Sequence, residues 1–141
     1  MIAIIRICGR VNIREDIKNT LYRLRLRHKY TCVILKETPE TRGMIQKIRN
    51  HVAYGKIDNQ TLTDLIKQRG KLLDKKKKLD PEKIAEEILN AKVDKKLEFL
   101  NLKPFFRLHP PRRGIKSKLH YPKGVLGDNK EKINDLIRRM L

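Results

Sequence analysis

At 141 residues the chain is long enough for one compact domain with additions, and a hydrophobic content of 39% supplies a modest core. Its 35 Lys and Arg against 16 Asp and Glu leave a formal net charge of +19, which repels itself and disfavours a compact state unless a polyanion answers it. There is no Trp, the cations are dispersed rather than ranged along one amphipathic helix, and no run approaches the roughly 18 apolar residues of a span, so a membrane partner is not expected.

The opening MIAIIRICGR is interrupted by Arg6 and is too short for a cleaved leader, so the expectation is an intracellular, soluble protein. Within it, IAIIRI at 2–7 is a β-branched run bounded by Gly9 and reads as a strand buried on at least one face. In IREDIKNTLYRLRLRHK, Ile13, Ile17, Leu21 and Leu24 recur at helical spacing, and Asn12 with Glu15 forms a capping pair. The polar face of this helix ends in Arg23, Arg25, Arg27, His28 and Lys29, where the helix dipole favours cations. YTCVILK at 30–36 is the second strand. In ETPETRGMIQKIRN, Thr38 is an N-cap, Pro39 takes the first helical position, and Met44, Ile45 and Ile48 form the apolar stripe. HVAYGKI at 51–57 closes a β-α-β-α-β unit, with two helices on one face of a three-stranded sheet.

Beyond Asp58 the composition shifts. Thr61 and Asp64 can cap a helix through TLTDLIKQR that stops at Gly70, and KLLDKKKKL is a basic connector whose Lys75–Lys78 run reads as a solvated loop. Asp80 and Pro81 then start PEKIAEEILNAK, with Ile84, Ile88 and Leu89 on one side. From Lys103 to Gly127 prolines and glycines alternate with basic residues, and no regular element is expected. A last helix takes Ile133, Leu136, Ile137 and Met140 on its apolar face, with Asp128 as its cap. The chain thus divides into a core at 1–58, a helical insert at 59–103 and an extended basic segment with a closing helix at 104–141. The two ends carry +8 and +7, the middle +4, so the polyanion is expected at the ends.

Little in the sequence suggests chemistry. His28, His51, His109 and His120 lack metal-site spacing, Cys8 and Cys32 stand apart and read as small buried side chains, and Glu82, Glu86 and Glu87 fall on an outer helix face. No nucleotide-binding or nucleophile motif occurs, so neither catalytic residue, metal, cofactor nor small-molecule substrate is expected. The enzymatic alternative is a phosphatase of the acylphosphatase kind, on the GR at 9–10, and a strongly cationic tail argues against it. Cations of this density hold a phosphate backbone instead. FRLHPPRRG at 106–114 suits folded RNA: its prolines hold it extended, while Arg107, His109, Arg112 and Arg113 offer forks and flat faces. The same charge argument extends to Lys116, Lys118, His120 and Lys123.

The run TPETRGMIQKI at 38–48 resembles the large-subunit ribosomal proteins numbered thirty, whose short members carry a similar Thr-Pro-x-x-Arg-Gly-Met-Ile. The longer archaeal members are also similar beyond residue 58, with an Arg-Leu-His-Pro-Pro-Arg run matching 107–112, a Leu-Gly pair matching 126–127 and a terminal helix. The resemblance implies an α+β fold related to the ferredoxin-like one, with a three-stranded antiparallel sheet in order 3-1-2. It implies a structural component of the archaeal large ribosomal subunit, bound to large-subunit ribosomal RNA near 5S RNA and to neighbouring ribosomal proteins in the cytoplasm. On matching positions, RNA contact falls to Arg10 and Arg14, to Arg25, Arg27, His28 and Lys29, and to Arg42 with Gly43. The competing reading is a non-ribosomal nucleic-acid-binding protein, an RNA chaperone or chromatin protein. On the ribosomal reading, 104–127 should be cut quickly by protease in the free protein.

Overall fold

Alternation along the first strand decides the architecture. In the computed structural model, which describes residues 1–73, 81–90 and 102–141, β1 (Ile2–Arg6) is buried along its whole length, so both faces of the sheet are covered. β2 (Thr31–Leu35) and β3 (Val52–Lys56) flank it antiparallel, with Ile4 opposite Val33 on one side and Tyr54 on the other. Successive side chains point to opposite faces. Ile2, Ile4, Val33 and Val52 therefore meet Leu21 of α1 (Glu15–Arg23) and Ile45 and Ile48 of α2 (Pro39–Ile48). Ala3, Ile5, Cys32 and Ala53 face the other way, onto Leu62, Leu65 and Ile66 of α3 (Asn59–Arg69) and Ala85 and Ile88 of α4 (Pro81–Asn90). Ile133, Leu136 and Ile137 of α5 (Ile133–Arg138) complete that second cluster.

The three-stranded antiparallel sheet in order 3-1-2 proves to be the middle of a larger one. The whole sheet has five strands in order β4-β2-β1-β3-β5 and is mixed: β4 (Phe106–Arg107) runs antiparallel to β2 and β5 (Gly127–Asp128) parallel to β3. The segment expected to lack regular structure thus supplies both edge strands. Phe106 is the reason on one side, since it pairs with Cys32 and is fully buried in the second cluster. On the other side Gly55 lets the turn at 130–133 lie flat on β3, because a Cβ there would run into the Lys130 carbonyl oxygen and sit 3.0 Å from Ile133.

FRLHPPRRG lies against the end of α5. The His109 and Arg112 amides donate to the carbonyls of Met140 and Arg139, each at 2.9 Å, and Pro111 is buried. In return the Arg139 guanidinium donates to the carbonyls of Arg112 (3.2 and 3.0 Å) and Gly114 (2.8 Å). The tail is therefore stitched to the domain at both ends in the free protein.

Helix boundaries follow backbone hydrogen bonding more than apolar spacing. Thr38 caps α2 as expected, in a reciprocal box with Thr41 (3.2 and 2.8 Å), and Pro39 is its first residue. α1, in contrast, begins only at Glu15, after Arg14 without a side-chain cap, because Asn12 sits in left-handed backbone at φ +54°. It also ends early, at Arg23. The Leu26 amide reaches back to Leu21 and the Arg25 amide to Tyr22, a Schellman close with Arg25 left-handed at φ +59°. Burying Leu26 completely stabilises by about 2 kcal/mol, which outweighs the roughly 1 kcal/mol that a non-glycine pays in that conformation. α3 follows Asp58 directly, so Thr61 lies inside it rather than capping it. The Asp128 carboxylate accepts from the Lys130 amide at 2.9 Å, but it does not cap α5, which follows a short 3-10 turn, Lys130–Lys132, and starts after Lys132 without a side-chain cap. Lys75–Lys78, Asp80 and the side chains of Glu86, Glu87 and Leu89 lie outside the described residues. Burial pushes the Cys32 thiol up to about 12, as an apolar role requires, while Cys8 is half-buried beyond the end of β1.

Candidate nucleic-acid interface

One buried arginine organises the end of the sheet where β1 stops and β2 begins. Arg6 is 4% exposed, and its guanidinium donates to the carbonyls of Cys8 (3.0 Å), Gly9 (2.7 Å), Leu26 (2.8 Å) and Arg27 (3.2 Å). Arg10 adds two bonds to the same Arg27 oxygen, at 2.8 and 2.5 Å from Nε and Nη2. The loop after β1 and the loop after α1 are therefore fixed to each other before any ligand arrives. Desolvation, then the field of Arg10, holds the Arg6 guanidinium below its ordinary value. The Tyr30 amide completes the join by donating to the Arg6 carbonyl at 2.7 Å.

The tail enters the same place. β4 sets Arg107 opposite Thr31, and the Leu108 amide donates to Tyr30. His28 feels the result: partial loss of water, then the positive field of Arg10, Arg107, Arg6 and Arg27, hold its imidazole below the usual histidine range. Residues nearly a hundred positions apart thus share one cationic surface. Lys29 lies over the Tyr30 ring at 4.7 Å, and Arg27 over the Tyr22 ring at 4.1 Å. Among the described residues, no ion pair engages Arg10, Arg27, Lys29 or Arg107, and all four are exposed.

The remaining sequence-predicted residues divide into three groups. Arg112 and Arg113 ride the turn fastened by Arg139, with Arg113 and Gly114 both left-handed at φ +65° and +67°, and His109 is exposed just before it. Lys116, Lys118 and Lys123 are exposed on the loop that precedes β5. That loop bonds to itself, Leu126 to Leu119 at 3.0 Å and Val125 to Ser117 at 3.2 Å, and His120 ties it to Asn50 at 3.0 Å. Arg14 and Arg42 each have a carboxylate partner. Arg14 approaches Asp16 at 3.5 Å, and Arg42 gives Nε and Nη2 to one Glu37 oxygen at 2.9 and 2.5 Å. Arg42 and Gly43 also lie past the far end of β2, away from Arg107.

Sequence reasoning missed Arg6 as an organiser, although a lone cation inside an apolar strand was its signal. It missed Arg139 as the tail's fastener and Tyr22 beside Arg27, and neither has a local signature. Among the described residues, no group of three His, Cys, Asp or Glu could hold a metal, and no helix is long and apolar enough to cross a membrane.

A family model described as ribosomal protein L30p/L7e matches residues 2–52. The sequence is 41% identical to the large ribosomal subunit protein uL30 of Archaeoglobus fulgidus, over 99% of each chain. The chain belongs to the L30p/L7e family. The uL30 of Nanoarchaeum equitans is also 41% identical, over 99% of this chain and 97% of its own, and that of Methanocorpusculum labreanum 39% over 99% of each. In this L30p/L7e chain the family match contains TPETRGMIQKI and both loops that Arg6 joins. RLHPPR at 107–112 lies beyond it, within the full-length similarity to archaeal relatives.

Proposed function

We propose that this chain is a structural constituent of the archaeal large ribosomal subunit that performs no reaction and holds ribosomal RNA with the cationic end of its sheet. The observation that carries the reading is the convergence of Arg10, Arg27, His28 and Arg107 on a surface where, among the described residues, none of them has a carboxylate partner, built by two loops and a tail that Arg6 and β4 fasten together. Phosphate is the ligand such forks fit, and a preformed set loses little entropy on binding it. Arg112, Arg113, His109, Lys116, Lys118, His120 and Lys123 extend the contact along the tail. Arg14, Arg25 and Lys29 border it. Arg42 and Gly43 form a secondary contact in which phosphate must compete with Glu37.

On the resemblance, the neighbours are 5S RNA and other large-subunit proteins in the cytoplasm. The segments 1–58, 59–103 and 104–141 then divide the work, the first and last meeting RNA and the middle one docking on protein. The phosphatase alternative has no use for a strongly cationic tail and is set aside on that ground. The bonds that fasten the tail to α5 go against the expectation that 104–127 is cut quickly in the free protein, and a free-standing RNA chaperone would also have an ordered tail, so proteolysis of the free chain does not favour the ribosomal reading. Sedimentation separates the two. In a sucrose gradient of a cell lysate the chain should travel with the large subunit and leave it only at high salt, and recovery solely at the top of the gradient would remove the ribosomal role.

A further inference from the structure

We infer that Tyr22 and Arg27 form a stacking platform for one unpaired RNA base, so that the cationic surface selects a bulged or looped strand over an uninterrupted duplex. The inference rests on the RNA-binding reading above and specifies what kind of RNA that surface takes.

Tyr22 is 58% exposed, and among the described aromatic residues it alone is mostly in solvent: Tyr30, Tyr54, Tyr121 and Phe105 are half-buried and Phe106 is buried. An exposed tyrosine on a helix needs no explanation by itself. This one, however, has the Arg27 guanidinium over its ring at 4.1 Å, and the chain between them is rigid. The Tyr22 carbonyl accepts from the left-handed Arg25, which turns the backbone back toward the ring, while Leu21, Leu24 and Leu26 are buried beneath. The Arg27 carbonyl is gripped by donors from Arg6 and Arg10. A tyrosine held this way offers a large flat surface at the cost of two torsions, and a guanidinium offers another. Every base has a π-face, and single strands are held by such faces beside a positive groove that follows the backbone. Here the positive surface is Arg10, His28 and Arg107. A paired base keeps its faces inside the helix and cannot use the platform, so the discrimination is between unpaired and paired nucleotides rather than between bases.

The test uses the full chain with two synthetic RNA hairpins, one fully paired and one carrying a single bulged 2-aminopurine. Wild type should bind the bulged hairpin more tightly and change the 2-aminopurine fluorescence. Tyr22→Leu should weaken binding to the bulged hairpin by about tenfold, in line with the worth of one base stacked on an aromatic ring, and leave the paired hairpin unaffected. Tyr22→Phe should retain both the affinity and the fluorescence change. Equal losses on both hairpins, or none on either, would overturn the inference, the latter assigning the ring to a protein neighbour. Failure of the wild type to bind either hairpin would instead remove the RNA reading on which it stands.

Discussion

The loop at 24–30 and the turn at 111–114 are built on the same plan. Each presents cations on an irregular backbone, each contains an arginine in left-handed conformation (Arg25 at φ +59°, Arg113 at φ +65°), and each has its carbonyls gripped by an arginine from elsewhere in the chain. Arg6 and Arg10 hold the first, Arg139 the second. They differ in where the grip sits: Arg6 is buried, whereas Arg139 is exposed to water. Hydrogen bonds made by a buried charge are expensive to lose, because the abandoned carbonyls cannot all turn to solvent, while those on the surface exchange readily with water. The first loop is therefore a fixed part of the fold, and the turn is a fastening that can open.

The largest expected effect follows from removing the buried grip. Arg6→Met should cost about 3 kcal/mol in urea unfolding, since it strips donors from four carbonyls at once. Arg139→Ala should cost only about 1 kcal/mol, and limited proteolysis should show faster cutting near 112–118 with the remainder resistant. Equal costs for the two variants would erase the distinction between the loops.

Acidity separates the free protein from the complex. His28 is held below the usual histidine range in the free chain, so the folded state resists its protonation and loses stability as pH falls below the unfolded value. Phosphate reverses that preference. RNA affinity should therefore rise by about threefold between pH 7.5 and 5.5, and His28→Asn should flatten the titration. The smallest effect belongs to a left-handed arginine of the turn. Arg113→Gly should leave the fold unchanged or stabilise it by about 0.5 kcal/mol, and should lower the slope of log affinity against log salt by about one unit. Arg113 occupies a position where glycine is cheaper, so strain is held there in exchange for a charged side chain.

Most of the first 58 residues was legible because strand and helix there announce themselves locally. β1 and β2 carry β-branched runs, and Thr38 with Pro39 marks the start of α2. The edge strands were not legible. Each is two residues long, too short to show a period of two, and each exists only because the sheet offers unpaired backbone for it to join. The early stop of α1 was hidden for a related reason: glycine usually announces a Schellman close, and here Arg25 stands in its place. For the site, charge pointed to the correct segments but could not say which cations would meet. Arg107 reaches Arg10 and Arg27 only through the pairing of β4, and Arg42 is equivalent to them by charge but has Glu37 beside it.

The placing of β4 and β5 also bears on how the chain matures during its own synthesis. When the first 57 residues leave the exit tunnel, both margins of the three-strand ladder lie bare, and they stay bare until residues 106–128 have been translated. An arrested nascent chain ending before that point would display two sticky borders to every other unfinished copy. The last third of the polypeptide thus acts as the hem of the sheet.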